Sequence, residues 1–185
     1  MISQEYKKIL NDIHGSTPFG KRGKIPKDLA RFIDEIRPTT ILDYGCGKGR
    51  LVSKLQEVYP KKTISGYDPG NSQFNNNVKD VQVDLLMSTD VLEHVEPEHI
   101  DETLKFLSTK SRYVYHLIAC CPAKLILPDG RNAHLIIEDA AWWREKFLNL
   151  NYKIIKESYN EFQKTPKGQT KPLVIKKYVI MAEKL

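Results

Sequence analysis

The chain has 185 residues, 41% of them hydrophobic and 28% charged, with a formal net charge of +6. That length suits one domain that buries its own core, and no apolar run approaches the ~20 residues a membrane span needs. Three cysteines, Cys46, Cys120 and Cys121, make neither a disulfide framework nor a CxxC zinc pair. MISQEYKKIL lacks the apolar core of a signal peptide, so the expected location is the cytoplasm and the cysteines are expected to be buried and reduced. The positive balance is compatible with an anionic substrate, a nucleotide or phosphosugar or RNA. Its denser basic clusters are Lys21-Arg22-Gly23-Lys24 and the Lys164 to Lys177 stretch.

In chain order, residues 3–13 predict a short helix with Tyr6, Ile9, Leu10 and Ile13 at helical spacing. The Gly-, Pro- and Lys-rich stretch His14 to Pro26 predicts a loop. Lys27 to Ile36 predicts a helix with Leu29, Phe32, Ile33 and Ile36 on one face, ended by Pro38. Thr40 to Tyr44 predicts a strand. Lys48 to Tyr59 predicts a helix with Leu51, Val52, Leu55 and Val58 facing inward. Strands are expected at Thr63 to Asp68 and Asp84 to Thr89, a helix at Glu98 to Thr109, a strand at Arg112 to Cys120 and a helix at Glu138 to Asn149. Tyr152 to Ser158 and Leu173 to Met181 have no helix between them and predict a hairpin. The alternation implies a mostly parallel sheet with helices on both faces. Residues 1–37 are read as a helical extension with a lid loop, and 38–185 as the main domain.

The chemistry-bearing motif is Ile41-Leu42-Asp43-Tyr44-Gly45-Cys46-Gly47-Lys48-Gly49-Arg50. A strand runs into a glycine turn and a helix starts directly after it, which lets backbone N–H groups approach a ligand. The dinucleotide pattern GxGxxG would need a third glycine at position 50, which is Arg. A second acid, Asp68 in Ile64-Ser65-Gly66-Tyr67-Asp68-Pro69, ends the next strand about 20 residues on, the position from which a carboxylate takes both ribose hydroxyls. The third segment is Leu85-Leu86-Met87-Ser88-Thr89-Asp90-Val91-Leu92-Glu93-His94-Val95.

These three segments, in this order, resemble those of the class I, seven-strand Rossmann-like methyltransferases that use S-adenosylmethionine. The resemblance spans roughly residues 38–182. It implies an α/β, doubly wound, mostly parallel sheet with a C-terminal antiparallel hairpin strand. It also implies that Asp43, Gly45, Cys46, Gly47, Gly49 and Asp68 bind the cofactor, with Asp43 near its methionine end and Asp68 on its ribose. One departure stands out: Pro69 to Gln82 is too short for the usual helix and strand, so strand three is expected to be short or missing.

Asp90, Glu93 and His94 fall at i, i+3 and i+4, and on one helical turn they would converge. His134 in the loop after the next strand offers a fourth ligand. The set resembles the metal sites of the ubiquinone-pathway O-methyltransferases and of the small-RNA 3′-terminal 2′-O-methyltransferases, with Asp90 where those have Glu. Metal-free methyltransferases also carry Leu-Glu-His here, with the His as base or substrate contact. The expected ion is manganese, iron or magnesium, and His94 and His134 are the expected catalytic residues. Trp142-Trp143 either stack on a base or sugar or divide between core and surface. Three functions stay open: O-methylation of a small-molecule or glycan-type hydroxyl, methylation of an RNA terminal ribose, and cofactor binding without catalysis.

Overall fold

The computed structural model describes residues 2–16, 23–165 and 171–185. Its elements are α1 (Gln4–Ser16), α2 (Lys27–Ile36), β1 (Thr40–Tyr44), α3 (Arg50–Val58), β2 (Thr63–Tyr67), β3 (Val83–Thr89), α4 (Ile100–Ser108), β4 (Ser111–Ala119), α5 (Ala140–Asn149), β5 (Tyr152–Lys164) and β6 (Leu173–Lys184). Short 3-10 turns at Leu92–His94 and Pro97–His99 lie between β3 and α4. Six strands form one sheet in the order β2-β1-β3-β4-β6-β5. β2, β1, β3 and β4 are parallel; β6 runs antiparallel to β4 on one side and to β5 on the other. Residues 69–82 carry no helix or strand, so the sheet lacks the third strand of the usual pattern.

The alternation of side chains along each strand separates two cores. Ile41, Leu85, Met87, Tyr115, Val179 and Met181 face α2 and α3, where Leu29, Phe32, Ile33, Leu51 and Leu55 meet them. Leu42, Tyr44, Leu86, Val114, Ile118 and Ile180 face α4 and α5, meeting Ile100, Leu104, Trp143 and Phe147. Helices on both faces make the fold doubly wound. A third, smaller core joins Tyr6, Leu10 and Ile13 of α1 to Leu127 and Ala133. α2 ends as expected: Arg37 takes the left-handed conformation at φ 50° and Pro38 follows.

Several boundaries differ from expectation. α1 continues through His14 to Ser16, because Ile13 and His14 are both buried; residues 17–22 of the expected lid loop, with Lys21 and Arg22, lie outside the described residues. Val58 was expected inward but is 51% exposed at the last turn of α3. β5 reaches Lys164 instead of stopping at Ser158, because each residue from Tyr159 to Lys164 has a partner on β6. The stretch 166–170 of the basic C-terminal cluster is outside the described residues. Trp143 is fully buried, whereas Trp142 is partly buried, with the Lys146 Nζ 4.7 Å from its ring centre. All three cysteines are buried and unpaired. Among the described residues no helix is long and apolar enough to cross a membrane.

His116 on β4 is 1% exposed, bonds Ser88 Oγ through Nδ1 at 2.8 Å and stacks on Phe147 at 5.1 Å. Burial pushes its pKa down to about 3, against about 6.5 in the unfolded chain. Between those values the unfolded state binds the extra proton. The stability tied to a neutral His116 is therefore complete above about pH 6.5 and is lost as pH falls toward 3. The buried Asp43 and Glu93, whose pKa values burial raises, work in the opposite sense but do so in every variant. Replacing the pair (Ser88→Ala with His116→Phe) should flatten the pH dependence of urea-unfolding free energy between pH 3 and 6.5, by up to about 1.4 kcal/mol per pH unit. A double variant with the wild-type slope would mean that His116 protonates without penalty in the fold.

Candidate functional site

The sheet order sets where a ligand can go. β1 sits between β2 and β3, and the chain leaves it toward α3 on one face and returns through β3 to α4 on the other. The crevice at the C-terminal ends of such strands is the binding position in open α/β sheets. Asp43, the Gly45 to Gly49 turn, Asp68 and the Asp90 to Val95 segment all reach it. The two acids, Gly45 to Gly47 of the turn, and Asp90, Val91, His94 and Val95 line a cavity of about 230 Å³ with Ile2, Tyr6, Leu10 and His14 of the N-terminal segment.

The glycine turn is built by backbone geometry. Gly45, Gly47 and Gly49 have φ of 75°, 57° and 70°, a region that costs an L side chain strain. Space forbids a side chain as well: a Cβ on Gly45 would lie 2.3 Å from Val91 Cγ1, and one on Gly49 2.4 Å from Phe74. The N–H groups of Gly45 and Cys46 both donate to the Tyr67 carbonyl, at 2.7 and 3.1 Å. Cys46 packs its sulfur over Gly66, where an added Cβ would come within 2.8 Å of it. Burial raises that thiol's pKa, and Cys46 shapes the turn by its packing.

Two carboxylates face the cavity in different states. Asp68 accepts the Gly47 N–H on Oδ2 and the Gly70 N–H on Oδ1, each at 2.8 Å, with His14 Nε2 at 3.8 Å. Burial still leaves its pKa raised against those stabilising partners. A carboxylate has about four lone-pair sites, so two remain for hydroxyl donors. Asp43 is 2% exposed and its Oδ1 has no hydrogen-bond partner among the described residues. Burial first, and Asp68 second, lift its pKa well above the ordinary carboxylate value. An isolated buried acid of this kind is completed by a cation. S-adenosylmethionine presents an ammonium and a sulfonium together with ribose hydroxyls, so the donor and acceptor set fits that cofactor.

Beside the cavity, Glu93, His94 and His134 bring one ligand atom each to within 4.8 Å of one another. Glu93 is 0% exposed; Oε1 accepts the Ala119 N–H at 2.9 Å, and Oε2 has no hydrogen-bond partner among the described residues. His94 Nδ1 donates to the Ala133 carbonyl at 2.6 Å and His134 Nδ1 to the Cys121 carbonyl at 2.5 Å. Those bonds place the proton on Nδ1 of both rings and leave Nε2 as the basic nitrogen. Burial lowers both pKa values, that of His94 to about 4, so both imidazoles are neutral at pH 7. The rings stand edge to face at 4.8 Å. Asp90 does not join them. Its backbone is left-handed at φ 55°, and its carboxylate pairs with Lys177 of β6. The expected helical turn is a 3-10 turn that starts only at Leu92, which leaves Asp90 before the turn and aimed elsewhere.

Four participants were not anticipated from sequence. Tyr6 showed only as part of a short helix and His14 as the first residue of the loop expected after it. Lys177 lies in a β-prone run far along the chain from Asp90. Asn71, whose Nδ2 donates to the Gly47 carbonyl at 2.7 Å, sits in the Pro69 to Gln82 segment, which was marked only as too short for the usual helix and strand. Trp143, in the core, is not available to stack on a ligand.

A family model described as a methyltransferase domain matches residues 20–154. Among solved structures, the chain resembles TehB from Haemophilus influenzae with a TM-score of 0.66 and 16% identity, over 89% of this chain and 64% of that one. It thus spans less than two thirds of that protein. It resembles the magnesium protoporphyrin IX methyltransferase ChlM from Synechocystis PCC 6803, solved with bound S-adenosylhomocysteine, with a TM-score of 0.60 and 15% identity over 97% and 99% of the two chains. The 1,6-didemethyltoxoflavin-N1-methyltransferase of Burkholderia thailandensis gives 0.62 and 13% over 100% and 91%. No curated protein matches it in sequence. With the glycine turn, the two acids and the doubly wound sheet in place, the chain belongs to the methyltransferase-domain family, as a Rossmann-like methyltransferase that uses S-adenosylmethionine.

Proposed function

We propose that the protein transfers the methyl group of S-adenosylmethionine to a hydroxyl oxygen of a small-molecule or glycan-type acceptor, with help from a divalent metal. The observation that carries the reading is the Glu93, His94 and His134 group at the edge of the cavity that the glycine turn forms. Asp43 takes the cofactor's ammonium, Asp68 its ribose, and the Gly45 to Gly49 backbone lies along it. The acceptor oxygen attacks the methyl carbon as the bond to sulfur breaks. S-adenosylhomocysteine leaves, and the hydroxyl proton must go to a base. Holding the two reactants in line supplies much of the rate.

A carboxylate with two imidazoles is a donor set for manganese or iron, and less so for magnesium. Such an ion, when bound, would hold the acceptor hydroxyl and favour its oxyanion. The chain's own residues support it: the two backbone carbonyls orient the rings, and burial keeps both rings unprotonated. The unpartnered Glu93 Oε2 supplies negative charge. Lys177 takes Asp90 out of the set, which leaves three protein ligands and room for water or acceptor. Without metal, His94, which lines the cavity, is the candidate base.

Replacing Asp43 by Asn, or Asp68 by Ala, should weaken S-adenosylmethionine binding in calorimetry by roughly 1.5–3 kcal/mol, about 10- to 150-fold. Wild-type affinity in both variants would put the cofactor elsewhere. Gly47→Val should abolish binding by filling the turn.

Chelation should stop S-adenosylhomocysteine production while S-adenosylmethionine still binds, and elemental analysis of the untreated protein should find one manganese or iron per chain. His134→Ala should behave like the chelated protein, with added Mn²⁺ restoring part of the turnover. Full turnover after chelation removes the metal and leaves His94 as a base alone. No S-adenosylhomocysteine with any hydroxyl acceptor, while cofactor still binds, would favour a binding protein without catalysis. Salt-dependent RNA affinity would favour the terminal-ribose reading.

A further inference from the structure

α1 lies outside the matched family region, which begins at residue 20, yet it forms a wall of the cavity. Tyr6, Leu10 and His14 are spaced by one helical turn each, share one face of α1 and line the same space as Asp43 and Asp68. The helix is held close. A Cβ added to Gly70 would lie 2.6 Å from Leu10 Cβ, so α1 rests directly on the turn after β2. At its N-terminus, the Ser3 N–H and Oγ–H both donate to the Glu96 carboxylate, at 2.7 and 2.8 Å, and Ser3 Oγ accepts the Tyr6 N–H.

Within that packing, one group has no internal role. Tyr6 is 0% exposed, with the Arg131 guanidinium 5.4 Å from its ring centre, but its hydroxyl has no hydrogen-bond partner among the described residues. A phenylalanine would fill the same space without that cost. Buried hydroxyls are nearly always bonded, so an orphaned one beside a ligand cavity indicates a partner that arrives with the ligand. We propose that Tyr6 is a cofactor-binding residue: its hydroxyl bonds a polar atom of S-adenosylmethionine, and α1 is the wall that the cofactor completes. This rests on the cofactor occupying the cavity as assigned above. Ligand entry and the docking of α1 are then coupled, since each supplies contacts that the other lacks.

Tyr6→Phe tests this with a sign that a packing role cannot reproduce. Removing an orphaned buried hydroxyl should leave the ligand-free Tm unchanged or raise it. Losing its bond to the cofactor should weaken S-adenosylhomocysteine binding, read by calorimetry, about three- to tenfold. In the wild-type chain, S-adenosylhomocysteine should also slow amide hydrogen exchange across residues 4–14. The proposal is overturned by a Kd change below about threefold, by a fall in the ligand-free Tm, or by exchange in α1 that ignores the ligand. Asp43→Asn run alongside separates the two readings. Weak binding by Asp43→Asn with normal binding by Tyr6→Phe removes Tyr6 alone, and normal binding by both removes the cavity as the cofactor site.

Discussion

Asp68 accepts two backbone N–H groups, one from Gly47 and one from Gly70. Those bonds join the turn after β1 to the turn after β2, and nearly everything functional hangs from the joint. The glycines adopt their left-handed conformations without strain but give the chain freedom there, so the turn needs outside bonds to hold one shape. The Tyr67 carbonyl and Asn71 add further ties to the same turn. The arrangement is self-limiting, because a buried carboxylate costs free energy unless its oxygens are bonded. Asp68 is tolerated at 6% exposure because the amides and His14 meet it. The turn is tolerated because Asp68 meets it. α1 adds to this joint from outside the conserved architecture, through His14 and the contact on Gly70.

The same logic of one group conditioning another runs through the second half of the site. Lys177 comes from β6, the strand that runs against the rest, and neutralises Asp90. Burial dominates the groups beside it, raising the Glu93 pKa and lowering those of both imidazoles, and the Lys177 charge adds a smaller downward pull on all three. A cation on β6 therefore favours an ionised carboxylate and neutral rings, the protonation states a ligand set needs. A site of three protein groups results where four had been expected from spacing.

Much of the fold was legible in sequence because its signals are local. Leu29, Phe32, Ile33 and Ile36 repeat with helical period and Arg37-Pro38 stops them, so α2 could be bounded to the residue. The glycine turn could be found because only glycine satisfies three left-handed positions within five residues. What escaped depends on partners distant in the chain. Tyr159 to Lys164 have no apolar period and are strand only because β6 supplies their hydrogen bonds. Asp90 looked like a ligand on spacing, and a lysine 87 residues away decided otherwise. His94 and His134 stand with ring centres 4.8 Å apart, since both follow parallel strands whose ends meet.

The missing third strand leaves β2 as one margin of the sheet and the β5–β6 hairpin as the other. β5 is long, and it carries Ile155, Tyr159 and Phe162 at 40–48% exposure. An open margin of this kind is a template on which another chain could add a strand, the route to misassembly. This one is guarded. Lys153, Lys156 and Lys164 charge it, and the register breaks between Ile154 and Lys156, so that the strand's full length is not one straight run of donors and acceptors. Trading those lysines for apolar residues would leave the reaction centre untouched and make the folded protein sticky along one side.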